Sequence, residues 1–367
     1  MSASDASLEA AARELQAARR PAILVGPEGA PAAALLLEIA ERLGAAVFTT
    51  PDAKSVIDHR RSCGTFSFGA KASARRIIER ADVVLAVSAL GEFSCRLGEA
   101  FRLHRLIQVT ESVMDVGRTL EPAIALIGTP ISTVARLCAK VRCLVPDPRK
   151  AWFSDLGEAT RAEATPASRP GFIHPIAAIA AIHAALPEAA RVCLDVTSGA
   201  LHAYERLDVT TSQRVFSSIE KSACMSEALL ASIGIRLASD LPTLALVGDW
   251  GYCMAPAELH TAVELELDRY VVLIWANGGG AFIGAGVEQQ GIVVPDRVWR
   301  WRLPPNFEQV GRGYGARGVT VTDADALRTE LTCALRGAGP VMIEARIDPT
   351  IPVPAGDRFL TLGEARA

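Results

Sequence analysis

The sequence contains no CxxC pair, no run of lysines and arginines and no long unbroken apolar stretch. Its eight cysteines (63, 95, 138, 143, 193, 224, 253 and 333) are scattered. That argues against a zinc site or a disulfide framework and makes a reducing cytoplasm the expected compartment. Without a basic stripe, and with a net charge of −3, nucleic acid is not an expected partner. Apolar runs, such as Val271–Ala276, are too short to span a bilayer. The opening Met1-Ser-Ala-Ser-Asp-Ala-Ser has neither a basic nor an apolar signal region, so no signal peptide is expected. No GxGxxG fingerprint is present, since Gly26–Pro31 reads GPEGAP. This disfavours a nicotinamide oxidoreductase.

What is present is ample core material: 367 residues, 50% hydrophobic and 22% charged, with mean hydropathy +0.24. This fits two globular domains of roughly 150 to 200 residues each and excludes a mainly disordered chain. Short β-branched runs alternate with Ala/Leu-rich helical stretches. Strands are predicted at Ala22–Gly26, Ala46–Thr50, Val83–Ser88, Arg105–Thr110 and Ala123–Gly128, with helices over Ala6–Ala18, Pro31–Leu43 and Lys71–Arg80. A second set follows at Arg191–Val196, Thr243–Gly248, Tyr270–Ala276, Gly318–Thr322 and Val341–Ile347. Its helices are predicted at Pro175–Ala185, Ser226–Ala238, Pro256–Leu267 and Asp323–Leu335. The strands are continuously apolar, as strands buried on both faces of a parallel sheet are. The expected fold is therefore α/β: two doubly wound parallel-sheet domains, residues 1–145 and 172–367. A Pro-rich linker, partly helical, is expected over 146–171.

The most informative stretch is Thr243–Gly280, TLALVGDWGYCMAPAELHTAVELELDRYVVLIWANGGG. One buried strand ends in Gly248-Asp249 and the next in Asn277-Gly278-Gly279-Gly280. Parallel strands place both ends on one edge, so Asp249 and Asn277, 28 residues apart, converge there. A carboxylate, an amide oxygen and a backbone carbonyl form a hard-oxygen set suited to Mg²⁺. Glycines let backbone N–H groups approach an anion.

This stretch resembles the cofactor motif of thiamine-diphosphate-dependent enzymes: Gly-Asp-Gly, about two dozen residues, then Asn-Asn. The interior Glu258-Leu259-x-Thr261-Ala262 fits as well. Residues 1–145 are similar to the family's central domain, through RRPAILVG, FTTPDAKSVI, ADVVLAVSA and LIQVTES. Residues 172–367 are similar to its diphosphate-binding domain, and DVTSGALHAYERL is nearest to the benzoylformate decarboxylase branch. The resemblance implies thiamine diphosphate and Mg²⁺ as cofactors and a 2-oxo acid as substrate, with decarboxylase or acetolactate-synthase-like ligase chemistry. It implies that Thr197 and Ser198 donate to the diphosphate, along the Gly248–Gly251 turn. Met225 would be the apolar wedge that bends the cofactor, and the Ala223 carbonyl would face the aminopyrimidine amine. Asp249, Asn277 and the Gly279 carbonyl would hold the metal.

The family's activating glutamate sits on a pyrimidine-binding domain. No catalytic residue is therefore expected among these residues, and a separate subunit is expected to supply that domain in a hetero-oligomer. A non-catalytic homologue is the alternative. Trp250 replaces the second glycine of the motif and needs a negative φ and room for its indole. Ala276 replaces the first Asn, while Ser226, Glu227 and Leu230 replace a Gly, an aromatic and a Pro at a helix start. Glu227 would face the diphosphate unless it turns elsewhere. Cys224 and Cys253 read as small packing residues, His260 as a structural or surface residue, and His202, after the Thr-Ser pair, as a structural residue with a substrate-facing role as the alternative. The central domain reads as structural, because no FAD signature is visible around Ala89–Arg96.

Overall fold

The computed structural model describes residues 2–67, 72–88, 90, 91, 105–142, 153 and 167–354. The chain divides into two compact units, Met1–Glu163 and Ala164–Ala367. Most of the expected linker, and most of Ala89–Arg96, lie outside the described residues.

The first unit is a five-stranded sheet of β1 (Pro21–Val25), β2 (Ala46–Thr49), β3 (Val83–Val87), β4 (Arg105–Thr110) and β5 (Ile124–Ile127). The order is β2-β1-β3-β4-β5 and every pairing is parallel. Continuous apolar runs are needed because alternate residues serve two cores. Ile23, Val25, Val47, Leu85 and Val109 pack with Leu8, Leu15, Leu36 and Leu137 of the helices on one side. Leu24, Phe48, Val84 and Leu106 pack with Ile77 and Ile78 on the other. The opening helix, Asp5–Ala17, buries Leu8, Ala11, Ala12 and Leu15, the face its spacing predicts. At the point where strand order reverses, Gly26 is pressed against Ser88: a Cβ at Gly26 would lie 2.3 Å from that of Ser88.

The second unit contains β6 (Ala190–Leu194), β7 (Gln213–Ser217), β8 (Thr243–Gly248), β9 (Tyr270–Ala276), β10 (Arg317–Val321) and β11 (Pro340–Arg346). Their order is β10-β11-β9-β8-β6-β7, again all parallel. Ala245, Val247, Val272 and Ile274 pack against Leu229, Leu259 and Phe307 of helices on one face. Leu244, Leu246, Val271 and Leu273 between them are equally buried. Sequence pattern misses β7. It is an edge strand with one neighbour, and Gln213, Arg214 and Ser217 dilute its apolar content. The helix expected over Pro256–Leu267 is shorter, Glu258–Glu264, and is preceded by a separate short helix, Asp249–Met254. Among the described residues, no helix is long and apolar enough to cross a membrane.

This topology defines an edge. The chain leaves β6 towards β7 on one side, and β8 leads to β9 on the other. The switch point therefore lies between the carboxyl ends of β6 and β8, where an open parallel sheet leaves a crevice.

Candidate active site

Three adjacent strands, β9, β8 and β6, bring their ends together. Gly248 pairs in register with Trp275, so Asp249 and Asn277, each directly after its strand, emerge at the same edge of the sheet. The Asn277 side-chain amide donates to Ser198 Oγ at 2.8 Å, tying the end of β9 to that of β6 across β8. Thr197 occupies the N-cap position of helix Ser198–Arg206, and its hydroxyl sits so close to Gly248 that a Cβ there would lie 2.9 Å from Oγ1. Asp249 is buried. Its Oδ2 accepts from Gly278 N at 3.0 Å and Gly279 N at 2.8 Å, and its Oδ1 accepts from Trp250 N at 2.8 Å. Burial outweighs these three donors and the Trp301 side chain, which also favours the charged form, and pushes its pKa up to about 6.

The glycine run after Asn277 has a tertiary cause. Gly278 and Gly279 take φ of +88° and +128°, which disfavour other residues. A Cβ on Gly279 would lie 2.4 Å from the Trp299 carbonyl oxygen, and one on Gly280 would lie 2.8 Å from the Trp250 ring. The loop is pinned by Gly280 N donating to Trp299 O (2.7 Å) and Trp301 N donating to Gly278 O (3.0 Å). The Gly279 carbonyl accepts from Ala281 N at 2.9 Å. Trp250 keeps a helical backbone inside Asp249–Met254, and its indole lies on the glycines, edge-to-face with Trp301 at 6.1 Å between centroids. Both needs of a tryptophan at this position are thus met. Nothing short of the fold links Trp250 to Trp299 and Trp301.

Ala223 and Met225 lie on the turn that enters helix Glu227–Ala238. Ala223 has φ +48° and Ser226 φ +72°, and half-buried Met225 lies between them. Ser226, in the glycine's place, adopts the left-handed conformation and donates its hydroxyl to the Gly251 carbonyl. Sequence reasoning missed Asp195. This residue at the end of β6 is 2% exposed and accepts from Ser226 N at 3.1 Å and Ala228 N at 3.4 Å. Burial, with Glu227 adding to it, pushes its pKa up to about 6 against those donors. The available signal was an acid at a buried strand's end, on the same edge as Asp249.

Other residues fall outside this group. Cys224, on the turn before helix Glu227–Ala238, and Cys253, in helix Asp249–Met254, are exposed rather than packed. His260 is exposed, with Nδ1 3.3 Å from Tyr314 O. His202 is buried in its helix, with its ring 6.0 Å from that of Trp275. Burial, then His174 and Arg206, push the His202 pKa down to about 3. A neutral folded imidazole means that the unfolded chain binds the extra proton below about pH 6.5, so stability falls as pH falls through that value. Relative to His202→Phe, the wild type should lose about 2 kcal/mol between pH 6.5 and 5. Denaturant melts of both proteins at the two pH values check this, and parallel curves would contradict it.

Residues 8–137 match the central domain of thiamine pyrophosphate enzymes, and residues 195–345 match the C-terminal TPP binding domain of the same enzymes. The chain belongs to the thiamine pyrophosphate enzyme family. Over 350 residues it is 29% identical to a probable 2-ketoarginine decarboxylase of Pseudomonas aeruginosa, covering 93% of this chain and 60% of that protein. Over 357 residues it is 24% identical to the acetolactate synthase isozyme 1 large subunit of Escherichia coli, covering 94% and 61%. The acetolactate synthase large subunit of Parasynechococcus marenigrum is also 24% identical over 357 residues, covering 94% and 56%. The chain thus spans about 60% of the length of the first two relatives.

Seen as a thiamine pyrophosphate enzyme, the chain's departures have local explanations. Ser226 offsets the loss of glycine with a buried hydroxyl bond. Glu227 is tied back to its own turn, accepting from Ser222 Oγ. Leu230 is 47% exposed, on the outer face of its helix, where a proline's rigidity is dispensable.

Proposed function

We propose that this chain holds the diphosphate end of thiamine diphosphate, with Mg²⁺, in an enzyme that acts on a 2-oxo acid. The observation that carries this reading is the buried Asp249 carboxylate, which among the described residues has backbone donors but no ion-pair partner. It sits beside an amide and a glycine turn on a switch-point edge. Among the described residues, no group of three or more His, Cys, Asp or Glu side chains could hold a metal. A divalent ion here would therefore rest on one carboxylate and neutral oxygens, which suits an ion that keeps water and phosphate ligands. Asp249, the Asn277 amide oxygen and the Gly279 carbonyl would supply those protein ligands. Thr197 and Ser198 would donate to phosphate oxygens, and Gly248, Trp250 and Gly251 would form the wall. Met225 would support the bend, with the Ala223 carbonyl towards the aminopyrimidine amine.

Bound thiamine diphosphate supplies an electron sink for the carbanion left when a 2-oxo acid loses carbon dioxide. This chain's own contribution is to place that group, donate hydrogen bonds to its diphosphate and hold the ion that would balance its charge. Loss of carbon dioxide alone would make the enzyme a decarboxylase, and transfer of the remaining acyl unit to a second carbonyl would make it a ligase. The named activities of the relatives support both, as a lyase and as a transferase. The glutamate that activates the cofactor ring belongs to neither matched domain. We assign it to a separate pyrimidine-domain subunit, in a cytoplasmic hetero-oligomer with two copies of each chain.

Purified alone, the 367-residue chain should not turn over pyruvate, benzoylformate or 2-ketoarginine. Addition of a pyrimidine-domain chain should restore turnover. Steady turnover by the single chain would overturn the two-subunit assignment, and a monomeric mass for the reconstituted pair would overturn the stoichiometry.

A further inference from the structure

The turn bearing Met225 is held in a conformation its own residues do not favour. Left-handed backbone is uncommon outside glycine and asparagine, yet Ala223 (φ +48°) and Ser226 (φ +72°) both adopt it within four residues. Such strain persists only where the surroundings over-determine it. The restraints are few. Ala223 N donates to Ser218 O at 3.1 Å, the Ser226 hydroxyl donates to Gly251 O, and Ser226 N and Ala228 N donate to Asp195. Ser222 Oγ also ties the turn to Glu227, but that bond lies within the segment itself; the Asp195 carboxylate alone grips both the turn and the first helical residues from outside it. It is also built into the sheet rather than into the turn. It presses on the neighbouring helix start as well: a Cβ on Gly251 would lie 2.3 Å from Asp195 Oδ2, so a side chain there would push the carboxylate from its place.

We infer that Asp195 is the positioning residue for the Met225 turn, setting the backbone of residues 223–226 where the organic part of the cofactor is received. The inference rests on the proposed function for what the turn receives, though not for how the turn is held. Asp249 has separate restraints, the amides of Trp250, Gly278 and Gly279. Asp195 should therefore govern the thiamine portion of binding and leave the diphosphate portion nearly alone.

The test compares the 367-residue wild type with Asp195→Asn, which keeps the shape but turns an N–H towards a backbone N–H. The first-turn amides of a helix have no intrahelical partner and ordinarily exchange fast. In the wild type, Ser226 and Ala228 amides should be protected from hydrogen exchange, and in Asp195→Asn they should exchange at least tenfold faster while β9 is unchanged. By calorimetry in the presence of Mg²⁺, the variant should bind thiamine diphosphate at least tenfold more weakly. Its affinity for inorganic diphosphate should stay within twofold. Equal losses for both ligands, or no loss for either, would overturn the inference. If the variant fails to fold, the wild type decides: unprotected Ser226 and Ala228 amides overturn the assignment and protected ones uphold it. If the wild type binds neither ligand, the proposed function fails, and the exchange data alone decide the role of Asp195.

Discussion

Asp249→Asn should lower the affinity for thiamine diphosphate and Mg²⁺ by about 100-fold or more while leaving the second unit folded. The carboxylate is the one charge the proposed metal set supplies, and removing one partner of a buried charge pair costs about 2–5 kcal/mol. About 3 kcal/mol corresponds to roughly 150-fold. A second signature separates this role from general damage. Without metal, burial raises the Asp249 pKa from the usual 3.8 to about 6. A carboxyl with a raised folded pKa contributes stability that is fully present below about pH 4 and is lost as pH rises through 6. The shift of about two units corresponds to about 3 kcal/mol at neutral pH. Asparagine is neutral throughout, so the metal-free variant should lack this portion of the pH dependence. Against that gain it loses the good geometry of the bonds from Gly278 and Gly279. Melts at pH 5 and 7.5, with and without Mg²⁺, should show a wild type that gains from Mg²⁺ at the higher pH and a variant that does not. Unchanged cofactor affinity in the variant would remove the metal assignment.

The parts of this molecule legible in its sequence are those whose cause is local. Strands β4, β8 and β9 occupy the residues their apolar runs predict, since a strand sandwiched between helices must be apolar at every position. The convergence of Asp249 and Asn277 was legible for the same reason: parallel strands put their carboxyl ends on one edge. What was hidden depends on contacts between distant segments. Asp195 in Asp-Val-Thr-Ser looks like any residue that ends a strand until helix Glu227–Ala238 presents Ser226 and Ala228 to it. Gly278, Gly279 and Gly280 read as an anion cradle, but their smallness is also demanded by Trp250 and Trp299. Met225 was singled out through the family resemblance alone, whereas the strain on either side of it shows only in the backbone.

Trp250→Gly restores the residue the family motif has here, and its effect tells which way the indole acts. A tryptophan in this turn either roofs the site or occupies the diphosphate's seat. The geometry favours the roof. The ring lies on Gly279 and Gly280, with a Cβ on Gly279 falling 3.3 Å from Nε1, and it meets the Trp301 ring edge-on at 78°. Those contacts hold the Gly278–Gly280 turn, whose two amides bind Asp249. Removing the ring should loosen the turn and let water reach the carboxylate. The expected weakening of cofactor binding is about 1–3 kcal/mol, the scale of one large buried side chain, or roughly 5- to 150-fold. Glycine in a helix also costs about 1 kcal/mol relative to alanine, so Trp250→Ala is the needed control. Both variants should bind more weakly, with the glycine variant the less stable of the two in metal-free melts. Calorimetry of the two variants beside the wild type decides the matter. If both bind more tightly, the indole fills the diphosphate's place, and the chain becomes a homologue that keeps the fold of a thiamine pyrophosphate enzyme without its catalysis.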